Sequence, residues 1–458
     1  MQAAIAFAQG VRVLQRAYRF SPDVAHRILH WRAAAAASSS GSRGAWSSDQ
    51  PSSTWPRQPT RAQRAFSSPS SELATAVAGE AATTQPVLPL CERPAQHAVP
   101  LTDLLAWRDA AQQQAEAVGD SWLASDPDGP TTEDLQTELS WLLDDALAAL
   151  ARPGADWRPA TWQQVERDLR RGGPLADAAC QYMVQLREPL EALEALWQRR
   201  LGQRIPLQYL TACAFWRDVV LSVGPGVLIP RPETELMIDF VQEAVAANPA
   251  LASGAWADLG TGSGALALGV ARALPQAQQV YAVDLSPVPL AYAAFNARRL
   301  GVGDRLTALQ GSWYEPLQAV GVRQLAGIVS NPPYICATDM PGLQAEVGRH
   351  EPHLALCGGE GLGVDCLLPI CTGAARLLQP GGFLALETAG GEQAHYIADV
   401  LRHLRRGACA WGDRPASSAS GNGSSSEEEE GERCAFVDVR VRRDLRGVDR
   451  FVTASAAP

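Results

Sequence analysis

The chain has 458 residues, 46% of them hydrophobic, and a formal charge of −10; no apolar run approaches the roughly 18 residues of a membrane span, so two or three soluble globular domains are expected. Nine cysteines lie scattered without CxxC spacing, and His350 and His353 have no further ligands at metal spacing, so reduced thiols and no metal are expected. Every basic residue other than His is Arg, which excludes a lysine Schiff base and a P-loop lysine, and the acidic balance fits poorly with gripping a phosphate backbone.

Charge is divided unevenly along the chain. Residues 1–71 carry nine Arg against Asp23 and Asp49, about +7, leaving about −17 for the rest. Arg12, Arg16, Arg19, Arg27 and Arg32 among apolar residues, followed by Ser-rich, acid-poor sequence, look like an organellar transit peptide. Arg64-Ala65-Phe66-Ser67-Ser68 resembles a mitochondrial processing site, and a plastid presequence of this composition would look similar. Residues 1–90 are therefore expected to be a transit peptide and disordered linker, with a mitochondrial location and a plastid as the alternative. Ala, Thr and Pro enrichment extends the linker character to about Pro100.

A small helical, substrate-docking domain is expected over 95–205. Its clearest element is Thr131 to Arg152, where Leu135, Leu139, Leu142, Leu143, Leu147 and Leu150 recur at helical spacing. Thr131 with Asp134 supplies a capping box, and Pro153-Gly154 a stop. Trp162 to Leu169 and Pro189 to Arg200 are further helices. Their Leu and Trp stripes read as core.

From 206 to 458 strand and helix patterns alternate, the signature of an α/β, doubly wound, seven-stranded Rossmann-like sheet. Strand-like runs are Val219 to Val223, Ala255 to Leu259, Val280 to Val283, Leu306 to Leu309, Leu325 to Val329 and Phe383 to Leu386. Phe436 to Arg442 and Arg450 to Thr453, flanking Asp444 to Gly447, read as an antiparallel pair at the sheet edge. The Ser/Gly/Glu-rich stretch within 413–433 reads as a disordered acidic insertion.

Three strand ends carry chemistry. Asp258-Leu259-Gly260-Thr261-Gly262-Ser263-Gly264 follows one strand and opens a helix at Ala265, so its glycines let backbone approach a ligand beside the positive helix end. Asp284 ends the next strand, where a carboxylate can accept both hydroxyls of one ribose. The Gly-x-Gly-x-Gly spacing with Asp284 points to S-adenosylmethionine rather than NAD. Trp313 falls on the same edge and can pack against an adenine. Asn331-Pro332-Pro333-Tyr334 follows a buried strand. An Asn oxygen and the next carbonyl, held by two prolines, can accept both hydrogens of a planar NH2 while Tyr334 stacks on it. The glycine turn from Gly260 to Gly264, Asp284 and Trp313 are thus candidates for holding a cofactor, and Asn331, Pro332, Pro333 and Tyr334 for catalysis.

These residues resemble the PrmC/HemK family of protein-glutamine N5-methyltransferases, and the resemblance runs from about Pro206 to Thr453. Leu228-Ile229-Pro230-Arg231-Pro232-Glu233-Thr234-Glu235 is its specific signature, preceded by Pro206 to Thr211 with Phe215-Trp216. Asn331 to Tyr334, Glu351-Pro352, Gly358 to Leu362 and Arg443-Asp444-Leu445 continue it in order. The resemblance implies a class I methyltransferase fold, with S-adenosyl-L-methionine as cofactor bound by Gly260, Thr261, Gly262, Ser263, Gly264, Asp284, Trp313 and Asn331. It also implies methylation of the Gly-Gly-Gln glutamine of a class I peptide chain release factor by an organellar member. A monomer without direct nucleic-acid or membrane partners is expected. The alternative is a nucleic-acid adenine N6-methyltransferase, since Asn-Pro-Pro-Tyr is shared with DNA adenine methyltransferases; the acidic balance and the lack of a basic, aromatic-interleaved domain count against it. Family members often carry Asp before the Trp, where this chain has Ser312.

Overall fold

In the structure, a computed structural model describing residues 85–172, 174–405 and 434–458, the alternating runs of the second half form one seven-stranded sheet. Its strands are β1 (Trp256–Leu259), β2 (Val280–Asp284), β3 (Leu306–Gln310), β4 (Leu325–Ser330), β5 (Leu378–Glu387), β6 (Phe436–Arg443) and β7 (Asp449–Ala456). They lie in the order β6-β7-β5-β4-β1-β2-β3, parallel from β1 to β5 and with β7 antiparallel to both neighbours. Strands buried on both faces read as continuous apolar runs, and all six residues of β4 are buried. Met237, Ile238 and Phe240 of helix Leu236–Ala247, with Leu266 and Leu268 of helix Ala265–Ala273, fill one face. Ile370 and Cys371 of helix Leu367–Leu377, with Ile397 and Leu401 of helix Glu392–His403, fill the other. The doubly wound α/β expectation therefore holds.

Register decides what meets at the carboxyl edge. Val329 of β4 pairs with Asp258 of β1, and Ser330 pairs with Leu386 of β5. Two residues beyond Val329 and Asp258 are Asn331 and Gly260, and one beyond Ser330 and Leu386 are Asn331 and Glu387. Strand order reverses between β4 and β1, the place where open α/β sheets leave a crevice for ligands.

Sequence and structure differ in several places. Val219–Leu221 does not join the large sheet but pairs antiparallel with Ala214–Trp216 in a hairpin; a short apolar run carries no information on which partner it finds. Helix Thr132–Ala146 starts on the expected capping box of Thr131 and Asp134 but stops before Leu147. Leu147–Ala151 instead becomes a strand with alternating burial, because its Leu and Ala spacing satisfies a period of 2 as well as 3.6 and Met183–Leu186 offers a ladder. The small domain is thus mixed, its helices packed with a four-stranded antiparallel sheet that also includes His97–Pro100 and Arg158–Pro159. Helices Trp162–Arg170 and Leu190–Gln203 lie where expected.

Of the transit-peptide and linker reading, residues 1–84 lie outside the described residues, as does the acidic insertion of 413–433. Residues described at its end are docked: Leu90 is fully buried, and the Val87 carbonyl accepts a 2.7 Å hydrogen bond from Ser222 Oγ. Among the described residues no helix is long and apolar enough to cross a membrane.

An ionic cluster joins helix Leu190–Gln203 to helix Ala345–His350. Arg200, 1% exposed, donates from Nε and Nη2 to Glu138 at 2.5 and 3.0 Å and from Nη1 to Glu346 at 3.0 Å. Arg204 donates to Glu346 and to Asp126, and both guanidinium groups lie over the Trp122 ring. Burying charge is tolerable here because each guanidinium meets carboxylates in hydrogen-bonding geometry.

Candidate active site

The turn after β1 and the ends of β2, β3 and β4 enclose a cavity of about 290 Å³. It is lined by Gly260, Thr261, Gly262, Ser263, Asp284, Trp313 and Asn331, seven of the eight residues assigned to the cofactor. The eighth, Gly264, does not line it. At φ +89° a Cβ there would come within 3.0 Å of Ala293 Cα, so this glycine serves close packing of helix Ala265–Ala273 against helix Pro287–Arg299. Gly262, at φ +55°, has open space where its Cβ would be, the expected form of a backbone cradle.

Local hydrogen bonds orient the acids. Gly262 N donates to Asp284 Oδ2 and Ser286 N to Oδ1, each at 3.0 Å, which holds the carboxylate at the cavity wall with lone pairs to spare. Burial raises the Asp284 pKa, and these backbone donors oppose the rise. Asp258 is 1% exposed, and its Oδ2 accepts from Thr261 Oγ1 at 2.7 Å and Ala267 N at 2.9 Å. Its Oδ1 is buried without a partner among the described residues, on a side chain that lines the cavity. Burial, opposed by the Thr261 and Ala267 hydrogen bonds, pushes this carboxyl up to about 7. An orphaned buried oxygen, a paired-amide carboxylate and an open glycine turn fit a polar, partly cationic ligand. Trp313 holds a left-handed backbone at φ 42°, an uncommon conformation for a bulky residue, and with Ser312 forms the far wall.

A second cavity, of about 550 Å³, opens on the other side of Asn331. Asn331, Leu228 and Ala355 line both. Tyr334 faces the larger cavity and Pro333 the smaller, while Pro332 is buried and lines neither.

Asn331 is held by residues from far along the chain. Its Nδ2 donates to Thr234 Oγ1 at 3.2 Å, and Thr234 Oγ1 donates to Glu387 Oε2 at 2.6 Å. Tyr334 donates from its hydroxyl to Glu387 Oε1 at 3.1 Å, and Gln393 Nε2 donates to the Tyr334 carbonyl at 3.0 Å. Glu387 is 1% exposed; burial raises its pKa, with Thr234 and Arg450 opposing. Burial and then the Glu387 charge raise that of Tyr334. Arg450, with burial working against its charge, is nonetheless held cationic by Tyr334, Asp444 and Glu387.

The signature run walls the same space. Glu351 accepts from Ile229 N at 3.1 Å and Arg231 Nη2 at 2.6 Å, fixing the Ile-Pro-Arg loop against the segment after Tyr334. Glu233 pairs with Arg446 at 3.0 Å, and Asp444 accepts from the amides of Arg446 and Val448 and from Arg450 Nε, each at 2.9 Å. Glu133, Asp134, Glu138 and Trp141 of the small domain also line the larger cavity.

Sequence reasoning assigned no role to Thr234, Glu351, Glu387 or Arg450. Glu387 carried a usable signal, an acid directly after the buried run Phe383 to Leu386 at a parallel strand's carboxyl end. Cys91, Asp145 and Cys213 place their ligand atoms within 4.8 Å of one another and line neither cavity. Their separation in the chain hides this group from any spacing rule.

The methyltransferase small domain family matches residues 233–342, which hold the glycine turn, Asp284, Trp313 and Asn331 to Tyr334. The chain is similar to the release factor glutamine methyltransferase of Synechocystis sp., 40% identical over 300 residues, covering 65% of this chain and 88% of that protein. It is 45% identical over 290 residues to the release factor glutamine methyltransferase of Thermosynechococcus vestitus, covering 63% of this chain and 85% of the relative. The Bordetella pertussis protein of that name is 41% identical over 268 residues, 58% and 84% of the two chains. With the cavities meeting at Asn331 and this likeness over most of the relatives' lengths, the chain belongs to the release factor glutamine methyltransferase family.

Proposed function

We propose that this protein methylates the side-chain amide nitrogen of the Gly-Gly-Gln glutamine in a class I peptide chain release factor, with S-adenosylmethionine as methyl donor. The observation that carries the reading is the meeting of the two cavities at Asn331. The smaller cavity suits the donor, and the larger the glutamine-bearing loop. The Arg- and Ser-rich start of the chain supports import into an organelle, the mitochondrion with a plastid as alternative.

An amide nitrogen is a poor nucleophile because its lone pair is delocalised into the carbonyl. The donor, when bound, would supply an electrophilic methyl group on a sulfonium, whose sulfur would leave as a neutral thioether with the electrons of the broken S–C bond. Everything else falls to the chain's own residues. Asn331 Oδ1 and the Pro332 carbonyl accept the two N–H groups of the glutamine and aim its nitrogen, the orientation term being worth several kcal/mol. The same carbonyl dipoles stabilise the positive charge that develops on that nitrogen, which is discharged when one of its two N–H protons passes to solvent as the product leaves. Tyr334, fixed through Glu387, covers the amide plane and excludes water. Small-domain residues Glu133, Glu138 and Trp141 on the wall of the larger cavity support a part for that domain in docking the protein substrate.

The test is incubation of the purified protein with labelled methyl donor and a release factor, either wild type or with its Gly-Gly-Gln glutamine replaced. Label on the first and none on the second, located by mass spectrometry, is the expected result. Equal labelling of both, or label on adenine of added DNA instead, would sink the proposal.

A further inference from the structure

Thr234 has one hydroxyl hydrogen, and it is committed to Glu387 Oε2 at 2.6 Å. What remains to face Asn331 is a lone pair, so only the NH2 side of the Asn331 amide can meet it, as the 3.2 Å contact from Nδ2 records. The opposite end of the amide, Oδ1, is thereby turned away from Thr234. Glu387 imposes this polarity because both of its oxygens accept, the second from the Tyr334 hydroxyl at 3.1 Å. The chain of contacts spans three separate segments: the signature loop, the turn after β4 and the end of β5. Register brings Glu387 level with Asn331, one residue beyond the Ser330–Leu386 pair.

We propose that Glu387 is a positioning residue that sets the direction of the Asn331 amide through Thr234 and the plane of Tyr334 directly, so that the site presents acceptors to a substrate NH2. The proposal rests on the amide-methylating reading above. With Gln at 387, an NH2 facing Thr234 would make that hydroxyl an acceptor from position 387 and free its hydrogen for Asn331. The Asn331 amide would then turn its oxygen to Thr234 and its NH2 toward the substrate, setting donor against donor.

The experiment compares Glu387→Gln, Thr234→Val and Thr234→Ser with wild type, using whole release factor and the methyl donor. Glu387 lines the larger cavity and not the smaller, so Glu387→Gln is expected to lower kcat about 100-fold, as loss of one preorganised polar group does, with donor affinity by calorimetry unchanged. Thr234→Val keeps the shape, loses the hydroxyl and is expected to fall as far in kcat; Thr234→Ser restores the hydroxyl and most of the rate. A role in stability alone predicts instead that donor affinity, melting temperature and kcat fall together and that Val serves as well as Ser. Wild-type kcat in Glu387→Gln, or equal kcat in the Val and Ser variants, would overturn the proposal. Should Glu387→Gln not fold, the Val and Ser pair decides alone. No transfer by the wild-type protein would overturn the amide-methylation reading itself.

Discussion

The two cavities that share Asn331 are built by different means. The smaller is made by turns at the ends of adjacent parallel strands, and its acids are oriented by backbone amides within a few residues or one strand away. The larger is made by side chains from Glu133 to Arg450, oriented by one another across most of the chain. Backbone sites tolerate side-chain change at their walls and fail when the turn is disturbed. Sites made of networked side chains fail when any buried member loses its partner.

The largest effect should come where the cavities join. Asn331→Ala is expected to lower single-turnover transfer by about 1,000-fold or more while donor affinity stays within a few-fold, since the smaller cavity keeps its glycine turn and Asp284. Calorimetric loss of donor binding in this variant would merge the two cavities into one functional unit and break the comparison.

Next is the ionic cluster that ties the wall of the larger cavity to the small domain. Arg200→Met leaves Glu138 and Glu346 short of a buried partner and should lower stability by about 3–5 kcal/mol in urea. If donor affinity of the folded variant falls as much as release-factor affinity, the wall is not specific to the acceptor side.

A smaller change is expected on the donor side. Asp284→Ala removes the acceptor held by Gly262 and Ser286 and should weaken donor binding about 100-fold, with kcat at saturating donor little affected. A loss confined to kcat would place Asp284 in the chemistry instead.

The last effect is a pH dependence and concerns Asp258. Its carboxyl, pushed up to about 7, lies above the ordinary carboxylate range, so the stability it contributes in the unliganded protein is complete at acid pH and is lost as pH rises to about 7. Asp258→Asn does not titrate, and its oxygen can keep the bonds from Thr261 and Ala267. Melting curves should therefore show the variant gaining on wild type progressively between about pH 4 and 7 and holding level above that. A gap that does not change with pH would place the wild-type proton elsewhere.

What the sequence by itself determined is the part governed by short-range chemistry. Apolar runs identified five parallel strands and an antiparallel edge pair; the turn from Gly260 to Ser263 and the acid at Asp284 marked the smaller cavity; Asn331 marked where the two cavities meet. Each is a property of a few neighbouring residues, so spacing was enough. The tertiary structure alone decided what depends on partners distant in the chain. It assigned Gly264 to helix packing, Leu147–Ala151 to a strand and Val219–Leu221 to a hairpin, because packing neighbours and free ladder edges exist only after folding. It also set the direction of the Asn331 amide, which follows from a hydroxyl 97 residues earlier and, through it, a carboxylate 153 residues from Thr234. A hydrogen bond has polarity, and that polarity is defined only when donor and acceptor are brought together.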